Sequence, residues 1–308
     1  MSVSAEQVKQ LRERTGVGMM ECKRALVETN GDLDAASELM RKQGLAKADK
    51  KAARVAAEGV VVLQQATDGR KVAMVEVNCE TDFVAREQEF KNFAADVARA
   101  ALAGSVTDVE ALGACKLASG ESVDERRRAL VAKIGENISV RRSVVVSGSG
   151  LLGAYSHGAR IGTIVALDGG TPELAHDLAM QVAAGNPRFL NATDVPADEL
   201  ARERMIASEQ AKLDPKNASK PEYVLQQIIE GKVRKVFAEQ TLLTQLYVKD
   251  DKQTVEKLLK SANAKLLSFQ RYEVGAGIEK TKEDYVAEIQ KQIEAARDKG
   301  KPDSGAAA

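Results

Sequence analysis

Apolar residues recur at helical spacing three times in the N-terminal part of the chain. Val8 and Leu11 begin the first apolar stripe, behind a capping-box signature formed by Ser4 and Gln7. Three such helices predict a small N-terminal module, which together with a linker covers residues 1–55. Two glycine-containing breaks separate the predicted helices, at Thr15–Gly18 and at Asn30–Gly31, and the third helix is predicted to end at Gly44.

A pattern of strand, turn, strand and helix then occurs twice. Strand-forming runs flank the turn residues Asp68-Gly69 and again His157-Gly158, and an amphipathic helix follows each pair. One further strand is predicted for each copy, at Ser139–Ser147 and Leu266–Val274. Repeated units of this kind predict an α+β protein with two subdomains, each built on an antiparallel sheet. The predicted subdomains cover residues 56–145 and 146–280.

The second copy contains an insertion that is helical only. Two apolar stripes between Asp194 and Gln240 are separated by the polar loop Asp214–Pro221. This arrangement predicts an inserted antiparallel helical hairpin at about residues 194–240. Residues 281–308 carry one more predicted helix, followed by a tail that we expect to be disordered.

Composition restricts the classes of partner. Of the 308 residues, 44% are hydrophobic and 29% charged, and 45 Lys and Arg balance 45 Asp and Glu. Affinity for nucleic acid comes largely from excess cations that meet phosphate, so no direct nucleic-acid partner is expected. No apolar run approaches the roughly 20 residues of a membrane span. Three separated cysteines fit free thiols in a reducing compartment, which predicts a cytoplasmic protein without a membrane partner.

The sequence lacks the usual signatures of a catalytic or cofactor site. There is no Gly-x-x-x-x-Gly-Lys-Ser/Thr phosphate loop and no Gly-x-Gly-x-x-Gly after a strand. His157 and His176 have no Cys or His at the spacing of metal ligands. Enzyme activity, a metal site and a cofactor are therefore not expected. The functional residues should instead lie on surfaces that contact another macromolecule.

The segment Val77–Val84 is the most informative part of the chain. A strand-forming run ends there, and Asp82 and Phe83 place a charge beside a bulky ring where a helix should begin. Large aromatic side chains are usually buried. The apolar face of the next helix, however, starts only at Phe90, and Arg86 in between is charged. A buried and an exposed Phe83 therefore both stay open, and Asp82 fits a helix N-cap, a partner contact or both.

Other positions are weaker candidates for contact with a partner. Met19 and Met20 are adjacent on a helix, so one should face the module core and the other solvent, where methionine suits an adaptable surface. Ile134-Gly135 lies between a helix and a strand, and glycine there permits close approach of another backbone. His157 fits a solvated turn residue as well as a contact.

The segment Lys47–Ala57 is rich in Ala, Lys and Arg and has no apolar period, which predicts a linker. Its cations are Lys47, Lys50, Lys51 and Arg54. A solvated linker explains them more simply than an RNA-binding arm does. An RNA- or ribosome-associated binding protein is nevertheless the alternative function that this run suggests.

Four segments of the chain, in order and in register, resemble the bacterial elongation factor Ts family. They are Leu11–Lys23, Val75–Val84, Lys133–Ile138 and His157–Gly162. The resemblance implies an N-terminal module of the ubiquitin-associated type, two α+β core subdomains, an inserted helical hairpin and a C-terminal helix. It also implies a translation elongation factor that acts as guanine-nucleotide exchange factor for elongation factor Tu, in its GDP-bound and nucleotide-free states.

Residue roles follow from the same resemblance. Thr81, Asp82, Phe83 and Val84 match the segment that dislodges magnesium from the GTPase, with Phe83 inserted between its helices. Where the family pattern near Val248 can continue with a hydrophobic residue, this chain has Lys249. A homodimer or a 2:2 complex through the helical hairpin is a further expectation. The other implied partner contacts are Arg12, Met19, Met20, Lys23, Ile134, Gly135 and His157.

Overall fold

The structure, a computed structural model, describes residues 3–217 and 220–279, with the exception of the side chains of residues 45–50. The chain divides into two units, Met1–Ala276 and Gly277–Ala308. Every helix and strand with described bounds belongs to the first unit. The helix and tail predicted at residues 281–308 lie outside the described residues.

The first three helices form the predicted N-terminal module. They are α1 (Ala5–Thr15), α2 (Met19–Glu28) and α3 (Leu33–Lys51). The capping box at the start of α1 is present, because the Ser4 hydroxyl accepts from the Gln7 N–H at 3.2 Å and the Gln7 side chain accepts from the Ser4 N–H at 3.0 Å. Leu11 of α1 and Leu26 of α2 lie at the centre of the module core.

The predicted linker is wrong over its first half, because α3 continues to Lys51, seven residues beyond the predicted end at Gly44. Gly44 does not stop the helix. It lies against a later helix, α7 (Val123–Ile134), where an added Cβ would stand 2.9 Å from the Ala132 Cβ, so this glycine permits close helix packing. Ala and Lys are strong helix formers and extend α3 without an apolar stripe.

The first sheet has the strand order β1-β2-β3 and is antiparallel throughout. Four helices connect β2 to β3, where the sequence pattern predicts only a long amphipathic helix and part of another. The short helices lack enough turns to show a period, which explains why they escaped prediction. The elements in chain order are β1 (Glu58–Gln65), β2 (Lys71–Cys79), α4 (Asp82–Arg86), α5 (Gln88–Gly104), α6 (Val109–Ala114), α7 (Val123–Ile134) and β3 (Ile138–Ser147).

The second sheet repeats this topology with the order β4-β5-β8. Helices α9 and α10 run antiparallel, since Arg188 Nη1 donates at 2.9 Å both to Glu199 near the start of α9 and to Gln240 at the end of α10. Arg204 and Glu230 pair between the middles of the two helices at 2.8 Å. A small hairpin and a short helix before β8 were not predicted. The elements are β4 (Leu151–His157), β5 (Ile161–Asp168), α8 (Pro172–Gly185), α9 (Ala197–Leu213), α10 (Glu222–Gln240), β6 (Leu246–Tyr247), β7 (Asp250–Thr254), α11 (Val255–Ser261) and β8 (Lys265–Glu273).

The two sheets pack back to back, and each carries helices on its outer face. Val61 and Met74 of the first sheet meet Ile164 of the second in a shared apolar layer. Gly162 makes this close approach possible, because an added Cβ would stand 2.6 Å from the Val61 Cγ1. The predicted α+β class with antiparallel sheets is confirmed. Strand β3 runs across the boundary predicted between residues 145 and 146, and the subdomain boundaries stay predictions.

A buried carboxylate joins the two sheets. Glu76 of β2 is fully buried. It accepts from Arg141 Nη1 at 3.0 Å and from Arg142 Nε at 2.5 Å. It also accepts from the Asn78 side chain at 3.1 Å and from the Gly275 N–H, just after β8, at 2.8 Å. Burial alone would raise the pKa of Glu76, but these hydrogen bonds and the Arg142 charge outweigh it and hold the pKa below its usual value.

Both arginines that bind Glu76 also donate hydrogen bonds to the backbone at the end of the second sheet. Arg142 Nη2 donates to the Glu273 carbonyl at 3.0 Å, and Arg141 Nη2 donates to the Ala276 carbonyl at 2.5 Å. The Arg142 guanidinium also lies over the Tyr272 ring, 4.0 Å from its centroid. The network therefore crosses from β2 through β3 to the end of β8.

Replacement of Glu76 by Gln should destabilise the protein at pH 7, because it leaves two guanidinium groups without their counter-charge. Losing one partner of a buried ion pair costs about 3–5 kcal/mol, and the lower end applies here since both arginines keep some solvent exposure. Thermal unfolding of Glu76→Gln beside Glu110→Gln, a change at an exposed position of α6, measures the loss.

The pH dependence gives a second readout of the same variant. The folded pKa of Glu76 is depressed, so its stabilisation is present above the unfolded pKa of about 4.3 and disappears as the pH falls through the folded value. The stability difference between wild type and Glu76→Gln should therefore shrink in acid. A difference that stays constant from pH 7 to pH 3 would contradict this role of the charge.

Candidate protein-interaction site

Phe83 is exposed on a helix that is anchored on its other side. The Phe83 side chain has 75% of its surface accessible, whereas Val84, the next residue, is buried in the core under the first sheet. Successive helical residues point about 100° apart, so α4 can bury one and present the other. Of the two alternatives that the sequence left open, the exposed ring is the one found.

The N-cap of α4 is Thr81, so the interpretation of Asp82 as the N-cap is wrong. The Thr81 hydroxyl accepts from the Val84 N–H at 3.4 Å. Asp82 follows as the first helical residue and pairs with Arg86 one turn later, at 2.8 Å. The Arg86 side chain is largely exposed and that of Asp82 about half exposed, and such a pair contributes little stability. The Asp82 carboxylate beside the ring is therefore free to exchange its partner.

Thr81 is held on three sides. Its N–H donates to Glu136 Oε2 at 3.0 Å, and its hydroxyl donates to Glu136 Oε1 at 2.7 Å. The Cys79 thiol donates to the Thr81 carbonyl at 3.2 Å. Burial, reinforced by the carboxylates of Glu136 and Glu58, raises the pKa of Cys79 to about 12. The sulfur therefore keeps the proton that this contact requires.

Residues Gly135–Asn137, here called the junction segment, collect contacts from three parts of the chain. Gly135 ends α7 with φ +89°, a left-handed conformation that glycine adopts without strain, and its carbonyl accepts from Lys51 at the end of α3. The Asn137 N–H donates to Glu80 Oε1 at 2.5 Å, and its side chain donates to the Arg54 carbonyl at 2.7 Å. The segment thus fixes the end of β2 and the chain that follows α3.

Ile134 and Gly135, predicted as contacts, belong to this anchored region. Ile134 packs partly buried against the first core, and Gly135 is partly buried as well. The structure therefore brings both residues together with Thr81 through Glu136. Both residues lie at the base of α4 and expose only part of their own surface.

Both methionines of the module are exposed, Met19 by 54% and Met20 by 69%. The prediction that one of them faces the core is wrong. Val17, which precedes α2, packs against the module core instead, and the buried face of the helix starts at Cys22. Arg12 and Lys23 are also exposed. The contact residues predicted in the module are thus all accessible to a partner.

The module is fixed to the helix that leads into the junction segment. Helix α3 packs against α7 at Gly44 and Ala132. Lys133 near the end of α7 lies beside Gly16 of the module and pairs with Glu89 of α5 at 2.6 Å. Helix α7 therefore connects the module to the core on which Phe83 is mounted.

His157 lies apart from these groups, exposed at the end of β4. Its Nδ1 is 3.1 Å from the Tyr155 hydroxyl. The following turn is tied to the first sheet, since the Val61 N–H donates to the Ala159 carbonyl at 2.8 Å and Arg160 pairs with Glu58 at 2.7 Å. The fold thus offers three separate candidate surfaces: the module, α4 with the junction segment, and the β4–β5 turn.

Glu136, Glu80 and Asn137 organise the site but were not predicted as functional residues. The available signal was a pair of consecutive polar residues, Glu136-Asn137, between a helix and a buried strand. Asn137 is itself buried, so its polar groups require partners within the protein. Their contacts join residues more than fifty positions apart, which no local pattern contains.

The structure shows what the cations Lys51, Arg54 and Lys249 contact. Lys51 donates to the Gly135 carbonyl and Arg54 pairs with Glu80 at 3.5 Å, so these two cations of the suggested RNA-binding run contact their own chain. Lys249 likewise pairs with Asp177 at 2.6 Å, beside an exposed Val248.

Across residues 3–217 and 220–279 we find no group of three or more His, Cys, Asp and Glu that could hold a metal ion. No helix in the same ranges has the length and hydrophobicity to cross a bilayer.

Comparisons with known proteins identify related chains. The family model described as Elongation factor TS matches residues 80–276, which include α4, the junction segment and His157. The chain is 53% identical over 292 residues to Elongation factor Ts of Xanthomonas campestris pv. campestris, covering 95% of this chain and 99% of the relative. It is 51% identical over 293 residues to Elongation factor Ts of Alkalilimnicola ehrlichii, with the same coverage.

The environments of the three cysteines predict unequal reactivity. Cys22 and Cys79 are buried, and the raised pKa of Cys79 disfavours its thiolate, whereas Cys115 is partly exposed. Titration of native protein with a chromogenic disulfide at pH 8 should show one fast-reacting thiol, and denatured protein should show all three. Cys115→Ser should abolish the fast phase; a fast phase that persists in this variant would contradict the assignment.

Proposed function

The chain belongs to the elongation factor Ts family and is a translation elongation factor, and we propose that it promotes GDP release from elongation factor Tu by inserting Phe83 into that GTPase. The observation that carries the proposal is the exposed Phe83 ring on an anchored helix. This role requires no covalent step, and it places the protein in the cytoplasm, where translation takes place.

A rigid exposed ring is suited to insertion. Aromatic side chains bury about 150–250 Å² and dominate the energetics of many interfaces. Because α4 is held at Thr81 and at Val84, little conformational freedom remains to be lost when Phe83 enters a partner. The ring can therefore use most of its burial energy to separate elements of the GTPase.

Displacement of magnesium explains how such insertion releases the nucleotide. Magnesium requires near-ideal octahedral coordination at about 2.0–2.1 Å, so a small movement of the surrounding backbone weakens its binding strongly. Phe83 would supply this movement, and Thr81 and Val84 would hold α4 while it does so. Asp82 stands next to the ring with a carboxylate that its exposed pair with Arg86 binds only weakly.

Linkage makes the exchange reversible. If this protein lowers the affinity of elongation factor Tu for GDP and magnesium, then GDP and magnesium must lower the affinity of elongation factor Tu for this protein by the same ratio. The chain should therefore bind nucleotide-free elongation factor Tu tightly and the GDP-bound form transiently. Incoming GTP with magnesium then displaces it.

The remaining predicted contacts would supply affinity. Met19 and Met20 offer adaptable apolar surface, and Arg12 and Lys23 offer cations, all on the exposed part of the module. His157, on the β4–β5 turn, would contact a second region of the GTPase. Ile134 and Gly135 would act indirectly by supporting the base of α4.

Phe83→Ala should slow GDP release from the complex of elongation factor Tu with a fluorescent GDP, followed by stopped flow at saturating concentrations of the chain. An aromatic hot spot is worth about 2 kcal/mol or more, which corresponds to a roughly thirtyfold slower rate. Phe83→Leu keeps apolar bulk without the ring and should be intermediate.

The matched control for that experiment is Leu267→Ala, which removes another exposed large apolar side chain, on β8. Its maximal release rate should equal that of wild type. The melting temperature of Phe83→Ala should also be unchanged, since the ring lies outside the core. Wild-type release rates in Phe83→Ala would refute the insertion of Phe83.

The helical hairpin offers a further surface, for which we propose self-association in a homodimer or in a 2:2 complex with the GTPase. Its exposed apolar residues include Met205, Leu213 and Tyr223. Light scattering should give twice the 33.1 kDa mass for the chain alone, or a 2:2 mass with elongation factor Tu. A monomeric chain that forms only a 1:1 complex would contradict the proposal.

A further inference from the structure

Glu136 holds two groups of Thr81 with one carboxylate. Oε2 accepts from the Thr81 N–H at 3.0 Å and Oε1 accepts from the Thr81 hydroxyl at 2.7 Å. Hydrogen bonds to a charged acceptor are stronger than neutral ones, and a two-point contact fixes orientation as well as position. The residue at the start of α4 is therefore held in one orientation relative to the junction segment.

The direction of Phe83 depends on this contact. Helix α4 has only five residues, far fewer than a helix needs to be stable on its own. Its geometry must be imposed at its ends, and the structure shows two anchors, Thr81 bound to Glu136 and Val84 buried in the core. Phe83 lies between these anchors. Loss of the first would leave the ring free to turn about the second.

Glu136 is itself held by its neighbours in the chain. Gly135 ends α7 and accepts from Lys51, while Asn137 is bound by its N–H to Glu80 and by its side chain to the Arg54 carbonyl. The backbone on both sides of Glu136 is thus fixed before any partner binds. A carboxylate presented in this way is a preorganised support for α4 and not a mobile surface charge.

We propose that Glu136 is a positioning residue for nucleotide exchange, which acts by holding Thr81 and thereby aiming Phe83. The inference rests on the proposed function, since it concerns the rate at which Phe83 enters the GTPase. It assigns the role to the geometry of the contact and not to the negative charge. It also predicts an effect on the maximal rate of exchange more than on affinity, because the module and the β4–β5 turn remain unchanged.

Three substitutions of Glu136 separate geometry from charge. Glu136→Ala removes both contacts and should lower the maximal rate of GDP release by at least about tenfold, since the loss of one charge-assisted hydrogen bond alone corresponds to that factor. Glu136→Asp keeps the charge but withdraws it by one methylene, so it should be nearly as slow. Glu136→Gln keeps the length, accepts from the Thr81 N–H and donates to its hydroxyl oxygen, and should restore most of the rate.

A double-mutant cycle tests whether Glu136 acts through Phe83. In a Phe83→Ala background, Glu136→Ala should cause no further loss of rate, since there is no ring left to aim. The matched control is Glu125→Ala, which removes a glutamate that caps the opposite end of α7 through Ser122, and it should leave the maximal rate unchanged. If Glu136→Ala does not fold, Glu136→Asp and Thr81→Val enter the same cycle.

The experiment is stopped-flow release of fluorescent GDP from elongation factor Tu, at several concentrations of each full-length variant. The expected result is a reduced maximal rate for Glu136→Ala and Glu136→Asp, rescue by Glu136→Gln, and no additional loss with Phe83→Ala. Equal rates for wild type and Glu136→Ala, a rescue by Asp but not Gln, or independent losses in the cycle would each overturn the inference. If wild type itself fails to accelerate release, the proposed function fails instead.

Discussion

The geometry of the candidate site depends on the contact between Glu136 and Thr81, which fixes the start of the short helix that carries the exposed Phe83 ring. The hydrophobic effect favours burial of Phe83. Val84, next to it, is already buried, and Thr81 on the other side is bound at two points. The five-residue helix that carries the ring is thus anchored at both of these residues.

This local arrangement depends on how the sheets are held together. The junction segment leads directly into β3, and β3 carries Arg141 and Arg142, which bind the buried Glu76. Through these arginines the first sheet is joined to the end of β8 in the second sheet. The two packed sheets therefore support both α4 and the turn that presents His157.

Much of this architecture could be predicted from the sequence, because periodic patterns report which face of an element is buried. The duplicated strand–turn–strand–helix order and the capping box at Ser4 are examples. The predictions failed where a tertiary contact decides. Gly44 was predicted as a helix end but packs against Ala132. One of the two adjacent methionines was predicted in the module core, but both are exposed and Val17 packs there.

Tertiary contacts also decided which parts of the candidate site could be predicted from the sequence. The exposure of Phe83 stayed open because it depends on α4 being a separate helix, and five residues show no period. Glu136 was missed because its partner Thr81 lies 55 positions away in the chain. Pattern analysis located the segment that carries the ring, and only the folded structure identifies what holds it in place.

The proposed insertion requires that the Phe83 ring leaves water when the complex forms and returns to water when nucleotide binds to the GTPase again. A fluorinated phenylalanine incorporated at position 83 alone reports this directly, through the difference in its ¹⁹F shift between H₂O and D₂O. That difference should be large in the free chain, vanish in the complex with nucleotide-free elongation factor Tu, and reappear on addition of GDP and magnesium. A ring that remains fully solvated in the complex would contradict the account.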